Sequence, residues 1–308
     1  MLEGMTTSSD SAVPPLDALW ERAVAEPPLP GGGIILAATP LGNPLDASFR
    51  LLHALQSADV IAAEDTRWTR ALIEWLGISP RGSLVSNFDH NEEHRAEQLV
   101  ADAAEGARVL VVTDAGMPSV SDPGFPLVVA AQERGVPVTC LPGPSAVPTA
   151  LALSGIGVGH FRFLGFAPRK DGQRRSFFDA IRSSQEAVCF FESPHRVASC
   201  LKTAAEVLGD DRQAAVCREL TKTYEEVKRA PLGELARWAE DGVRGEITVV
   251  IEGAEPSGEV SLEDAVVEVE NLVADGVRLK DAAGQIAAAT SLSKRDVYEA
   301  VLSARGQK

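Results

Sequence analysis

Gly33-Ile34-Ile35-Leu36-Ala37-Ala38-Thr39-Pro40-Leu41-Gly42-Asn43-Pro44 is an apolar run that enters a loop holding two prolines. Residues 33–38 read as a buried strand of the parallel kind, apolar on both faces. A strand that feeds a dinucleotide site runs into G-x-G-x-x-G, whose backbone N–H groups hold a pyrophosphate at a helix start. Here Pro40 and Pro44 each remove one such donor. No G-x-x-x-x-G-K-[ST] stretch occurs in the chain either, so the loop serves something other than a phosphate cradle.

Outward from this run, residues 60–63, 109–113 and 136–141 read as further buried strands. Between them, residues 48–57, 69–76, 92–105 and 126–134 have helical spacing and polar faces, which makes a series of βαβ units. The expected N-terminal α/β domain spans 31–155. A second series follows the Gly155-x-Gly157-x-Gly159 stretch, with strands at 161–166, 187–191, 214–217 and 247–251 and helices at 176–183, 196–208 and 232–240. It is a second α/β domain, 156–253. The stretch Glu252-Gly253-Ala254-Glu255-Pro256-Ser257-Gly258 has a linker composition. Residues 262–305 read as a small helical domain, in which two helices joined at Thr290 to Ser293 have helix-turn-helix-like spacing. Pro14, Pro15, Pro27, Pro28 and Pro30 mark residues 1–30 as a disordered tail.

The 308 residues include 44 acidic and 29 basic side chains, a formal charge of −15, with 45% hydrophobic content. That composition excludes disorder as the dominant state and disfavours phosphate-rich partners unless basic residues gather on one face. A DNA-coating protein is excluded. Cys140, Cys189, Cys200 and Cys217 lie far apart with no C-x-x-C pair, which suits neither a disulfide framework nor a thiolate zinc site. They read as reduced, mostly buried thiols of a cytoplasmic protein. The five histidines show no ligand spacing with cysteines or acids, so no metal is expected. Neither a secretory leader nor an apolar run of the roughly 20 residues that span a bilayer is present, and no membrane association is expected.

Three more segments stand just beyond strand ends, where open α/β sheets carry their ligands. They are Glu64-Asp65-Thr66-Arg67, the loop from Thr113 to Gly124, and Leu141-Pro142-Gly143-Pro144-Ser145-Ala146. Each taken alone also reads as a helix cap or a turn, with Asp65 or Ser145 as the capping residue. Their recurrence after consecutive strands favours a site.

Thr39-Pro40-Leu41-Gly42-Asn43, Ala63-Glu64-Asp65-Thr66-Arg67, the Asp114 to Gly124 loop, Pro142-Gly143-Pro144-Ser145-Ala146, Phe191-Glu192-Ser193-Pro194-His195-Arg196 and Arg218-Glu219-Leu220-Thr221-Lys222 occur in this order. Together they closely resemble the small-subunit (16S) ribosomal RNA cytidine 2′-O-methyltransferase I family, part of the tetrapyrrole methylase superfamily. The resemblance covers about residues 31 to 305. It implies an S-adenosylmethionine-dependent enzyme, two α/β domains with the cofactor in the cleft between them, and a homodimer. Carried over by position, cofactor contacts fall on Pro40, on Asp114, Ala115, Gly116 and Met117, on Ser145 and Ala146, and on Phe191, Ala215 and Glu246. The chain has Thr113-Asp114-Ala115 where the superfamily has Gly-Asp-Pro, and Met117 where threonine is commoner.

Methyl transfer from a sulfonium gains most from holding donor and nucleophile at near-attack distance. A ribose 2′-hydroxyl is a weak acid, so a base or cation must assist proton loss. The motif segments supply Glu64, Asp65, Arg67, Glu192, His195, Glu219 and Lys222 as catalytic candidates, with Glu64, Asp65 and Arg67 ranked first. His195 also reads as an ordinary helix-start histidine, and Arg218 with Glu219 as a structural ion pair.

An RNA substrate conflicts with the charge of −15 unless basic groups cluster. From Arg162 to Arg182 six basic residues face only Asp171 and Asp179, a local excess of four. Arg169, Lys170, Arg174 and Arg175 are therefore the expected phosphate contacts to small-subunit RNA, against the plain alternative of a solvated helix face. Two other functions share this architecture: a tetrapyrrole or corrin methyltransferase, and a non-catalytic RNA-binding assembly factor.

Overall fold

The computed structural model describes residues 16–25, 28–87, 92–120, 124–157, 159–255, 261–274, 276–290 and 292–306. Residues 1–15 of the expected tail, 121–123 of the motif loop and 256–258 of the expected linker lie outside them. The chain opens with α1 (Leu16–Ala25). Part of the expected disordered tail is thus helical. The flanking prolines drew attention away from ten residues free of Pro and Gly, of which Trp20 sets its ring edge-on to His53 at 6.5 Å.

The first sheet consists of β1 (Gly33–Ala37), β2 (Val60–Ala63), β3 (Ser83–Ser86), β4 (Arg108–Val112) and β5 (Val138–Leu141), in the order β3-β2-β4-β1-β5 and parallel throughout. Its helices are α2 (Phe49–Ser57), α3 (Thr66–Trp75), α4 (Glu92–Ala104), α5 (Phe125–Glu133) and α6 (Ala146–Ser154). Successive strand side chains point to opposite faces. Ile35 and Ala37 accordingly join Leu51, Leu55 and Ile73 beneath α2 and α3, while Ile34 joins Leu99, Val100 and Leu127 beneath α4 and α5. Helices on both faces are why these strands carry no polar alternation.

The second sheet consists of β6 (Phe161–Phe166), β7 (Ala187–Glu192), β8 (Gln213–Arg218), β9 (Glu226–Pro231) and β10 (Ile247–Ile251), in the order β6-β7-β10-β8-β9. Only β6 and β7 pair in parallel; the other neighbours are antiparallel. One face lies under α7 (Asp171–Asp179), α8 (Val197–Leu208) and α9 (Leu232–Glu240), around Phe178, Phe190 and Leu201. The helix expected at 176–183 thus begins earlier, at Asp171. The opposite face receives α6, whose Val147, Ala150 and Leu151 pack on Cys189, Ala215, Cys217 and Val250. This helix joins the two sheets through an apolar contact.

The C-terminal part, α10 (Leu262–Ala274), α11 (Leu279–Ala289) and α12 (Lys294–Gly306), forms its own small core around Val269, Ile286, Val297 and Val301. No described helix is long and apolar enough to cross a membrane.

Candidate functional site

The carboxyl ends of β1, β2, β4 and β5 point toward the second sheet and carry the motif loops. The β1 and β4 loops are stitched together: Thr39 N–H donates to the Gly116 carbonyl at 2.9 Å, and Gly116 N–H donates back to Thr39 at 3.1 Å. The Thr39 hydroxyl adds a bond to the Thr113 carbonyl at 3.0 Å. Gly116 has φ +84°, and a Cβ there would press on Leu41. A side chain would strain this turn and push Leu41 out of place.

Between these loops and the second sheet lies a cavity of about 370 Å³. Leu41, Ala115, Met117, Val120, Ala146 and Phe191 give it apolar walls. Phe191 is held edge-on by Phe163 and Phe166, with ring centroids 4.9 and 5.5 Å away. Glu64, Asp114, Glu192 and Glu246 are its acidic lining residues, and among the described lining residues there is no Lys, Arg or His. The Asp114 N–H donates to Glu64 Oε2 at 3.2 Å, and Asp114 Oδ1 accepts the Asp65 N–H at 3.1 Å. Burial, reinforced by the nearby carboxylates of Asp65 and Glu246, raises the Asp114 pKa above the usual aspartate value.

Asp65 plays a different part. It caps α3 by accepting the Arg67 N–H at 2.8 Å and binds the Arg67 guanidinium through both oxygens. These hydrogen bonds hold its pKa down to about 2. Asp65 and Arg67 are absent from the described cavity lining, so of the three first-ranked candidates only Glu64 reaches it.

The remaining candidates divide in the same way. Glu192 stands opposite Ile247 in the antiparallel ladder, and directly opposed residues share a face. Ile247 belongs to the core under α8 and α9, so the buried Glu192 carboxylate lies on that side of the sheet, while Glu192, like Ile247, also lines the cavity. Its carboxylate accepts the Ser193 N–H at 2.7 Å and pairs with Arg196, an anchor for the start of α8. Thr248 and Phe191, the next opposed pair, face the cavity. His195 is exposed in the turn before α8, and Ala215 is fully buried against α6. Pro40 is buried next to Leu41. Lys222 sits behind the cleft wall on Glu219 and Glu246.

Half of the basic residues of the window are paired with acids. Arg174 is buried, donating to Asp171 at 2.9 Å and to the Thr203 hydroxyl at 3.2 Å. Arg175 pairs with Asp171 and Glu206, and Arg182 with Asp179. Asp171 and Asp179 already enter the count along the sequence, so only Glu206, from α8, lowers the excess of four, to three. Arg169 and Lys170 remain exposed. Leu41, Val120, Phe166, Ser193, Pro194, Gly245, Ile247 and Thr248 line the cavity without having been singled out as candidates. Only their position at strand ends could have found them.

The cofactor implied by the motifs offers an adenine ring, two ribose hydroxyls and two cationic centres. The residues present fit it: apolar walls suit the ring, and carboxylates unopposed by lining cations suit the hydroxyls and positive charges. Among the described residues no cluster could hold a metal ion.

Residues 33–236 match the model of a family described as Tetrapyrrole (Corrin/Porphyrin) Methylases. Over 275 residues the chain is 52% identical to the ribosomal RNA small subunit methyltransferase I of Mycobacterium tuberculosis (strain ATCC 25618 / H37Rv), covering 89% of this chain and 96% of that one. The protein of the same name from Escherichia coli O157:H7 is 38% identical over 278 residues, 89% of this chain and 96% of its own. Among solved structures, a diphthine synthase has a TM-score of 0.56 at 19% identity, covering 71% of this chain and 89% of that one. The methyltransferase CobJ has a TM-score of 0.54 at 22% identity, covering 72% of this chain and 95% of its own. These two share the fold.

Proposed function

The chain belongs to the tetrapyrrole methylase family, in its ribosomal RNA small subunit methyltransferase I branch, and on that premise we propose that it methylates the 2′-hydroxyl of a cytidine in 16S ribosomal RNA with S-adenosylmethionine. The observation that carries this reading is the cleft itself, which combines apolar walls and carboxylates with no cation among the described lining residues. When bound, the donor supplies an electrophilic methyl group on sulfur. The Asp114 to Met117 loop, Ser145, Ala146 and Phe191 hold it, and Glu246 stands at the rim. Glu64 accepts the proton that the ribose hydroxyl loses as its oxygen gains the methyl group. The Asp114 N–H on Glu64 Oε2 fixes that carboxylate in place. Arg169 and Lys170 meet RNA phosphates.

The cytoplasm, where small subunits assemble, is the compartment this reading requires. A homodimer is inferred from the family resemblance, and sedimentation equilibrium tests it. The reaction is tested by incubating the purified protein with labelled donor and either free RNA or undermethylated small subunits, then mapping the product. Label on the ribose of a cytidine is expected; label on a base, or none on either substrate, overturns the assignment.

A further inference from the structure

The Arg218-Glu219-Leu220-Thr221-Lys222 segment makes the closest contact between the second sheet and the β1 loop. Leu220 and Leu41 share one apolar cluster, and the Thr221 hydroxyl accepts the Asn43 N–H at 3.1 Å. Lys222 lies directly over Gly42, where a Cβ would overlap its side-chain methylenes. Its ammonium group then bridges two carboxylates, Glu219 Oε1 at 3.1 Å and Glu246 Oε2 at 3.2 Å. Glu219 is tied to the same edge a second time, because its Oε1 accepts the Glu246 N–H at 3.0 Å and its own N–H donates to the Glu246 carbonyl at 3.0 Å. Gly245 leaves the room this requires, since a Cβ there would overlap the Glu219 carboxylate.

The segment holds this geometry under strain. Glu219 has φ +53° and Thr221 φ +65°, a region that side-chain-bearing residues seldom adopt. Such outliers persist where surrounding contacts over-determine them and concentrate at functional sites. Here the contacts that over-determine them span the cleft.

We propose that Lys222 is a positioning residue for methyl transfer, fixing the gap between the β1 loop and β10 and holding the Glu246 carboxylate in one orientation at the cavity rim. This rests on the methyltransferase reading above. Lys222 touches neither donor nor ribose; it acts through Glu246 and through Gly42. The Glu246 side chain is 72% exposed, so without the ammonium its carboxylate can swing out into solvent, away from a cationic ligand in the cavity.

The test is a Lys222→Met variant, which keeps the stem that packs on Gly42 and removes the charge, beside Lys222→Arg and Gly42→Ala. Donor affinity is measured by calorimetry, and kcat and KM by methylation of small subunits. Lys222→Met is expected to weaken donor binding about tenfold while changing kcat at saturating donor less than about threefold. Lys222→Arg should recover most of that affinity. Gly42→Ala should weaken binding in the wild-type background by displacing the ammonium, and have a smaller effect once Lys222 is Met, because the ammonium through which it acts is already gone. Should Lys222→Met lose its cooperative melting transition, Gly42→Ala and Lys222→Arg decide the matter. Donor binding unchanged in these variants, or a loss in Lys222→Met that Lys222→Arg shares fully, overturns the proposal. A wild-type protein that binds no donor overturns the methyltransferase reading instead.

Discussion

Glu64 and Asp114, at the ends of two adjacent parallel strands, are joined by a hydrogen bond from the Asp114 N–H to Glu64 Oε2 at 3.2 Å. The carboxylate proposed to take the proton is thereby oriented by the backbone of the loop proposed to hold the donor. Replacing Glu64 with Gln keeps an acceptor for that N–H but removes the base. We expect kcat to fall by about 10²- to 10⁴-fold with donor affinity retained. Single-turnover methylation and calorimetry on the same variant check both halves, and a Glu64→Gln enzyme of wild-type rate sinks the assignment.

Asp114 should trade stability for function. Its pKa is raised, chiefly by burial, so the native state binds its proton more tightly than the unfolded chain does. Its contribution is therefore fully present below the ordinary aspartate value and is lost as pH rises through the elevated one. Asp114→Asn, which preserves an acceptor for the Asp65 N–H, should melt at a higher temperature than wild type at neutral pH. The advantage should shrink as pH is lowered toward 4, in melting curves recorded across that range. The same change should weaken donor binding.

For Asp65 the sign is opposite. Its hydrogen bonds to Arg67 lower its pKa to about 2, so its contribution is present above the ordinary aspartate value and fades as pH falls through about 2. Asp65→Ala should lower the melting temperature at neutral pH by removing the α3 cap, with the difference from wild type narrowing in acid. Donor affinity should stay within about twofold, as for a surface change away from a site. A collapse of donor binding with the fold intact would return Asp65 to the catalytic group.

The parts of the fold that were legible in the sequence were those buried on both faces. Val60–Ala63 and Ile247–Ile251 read as strands because helices or a second layer demand apolar side chains on each side. The strands Ser83–Ser86 and Glu226–Pro231 escaped notice because both lie at sheet edges, where polar residues and a terminal proline are tolerated. The helix Ala146–Ser154 escaped for another reason: one side packs on the second sheet while its exposed side carries Pro148, Ala152 and Leu153, so it is apolar nearly all round and shows no helical period. At the site, the motifs located the loops but not the direction of each side chain. Glu192 and Phe191 are neighbours in one motif and both line the cavity, yet the Glu192 carboxylate is tied to Ser193 and Arg196 at the start of α8 while the Phe191 ring forms a wall. A charge count has the same blindness, since Arg174 adds to it although it is buried, and Arg175 adds to it while its partner Glu206, outside the counted window, cancels it in space.

That last contrast separates two variants which sequence alone would pool. Arg169 and Lys170 are exposed, whereas the Arg174 side chain is only 9% exposed, bound to Asp171 and Thr203. Replacing Arg169 and Lys170 together with Ala should leave the melting temperature and donor affinity unchanged. It should weaken binding to small subunits and reduce the salt dependence of that binding by about one unit of slope for each lost phosphate contact. Replacing Arg174 with Ala should instead cost about 1–3 kcal/mol of stability, the range for losing hydrogen bonds to a charged group in a buried setting. Its salt slope should match wild type, because a guanidinium enclosed by α7 and α8 neutralises no phosphate and so releases no counterion from the RNA. If Arg174→Ala lowers the slope while Arg169→Ala with Lys170→Ala does not, the RNA path lies elsewhere on the second sheet's helices than the exposed pair that precedes α7.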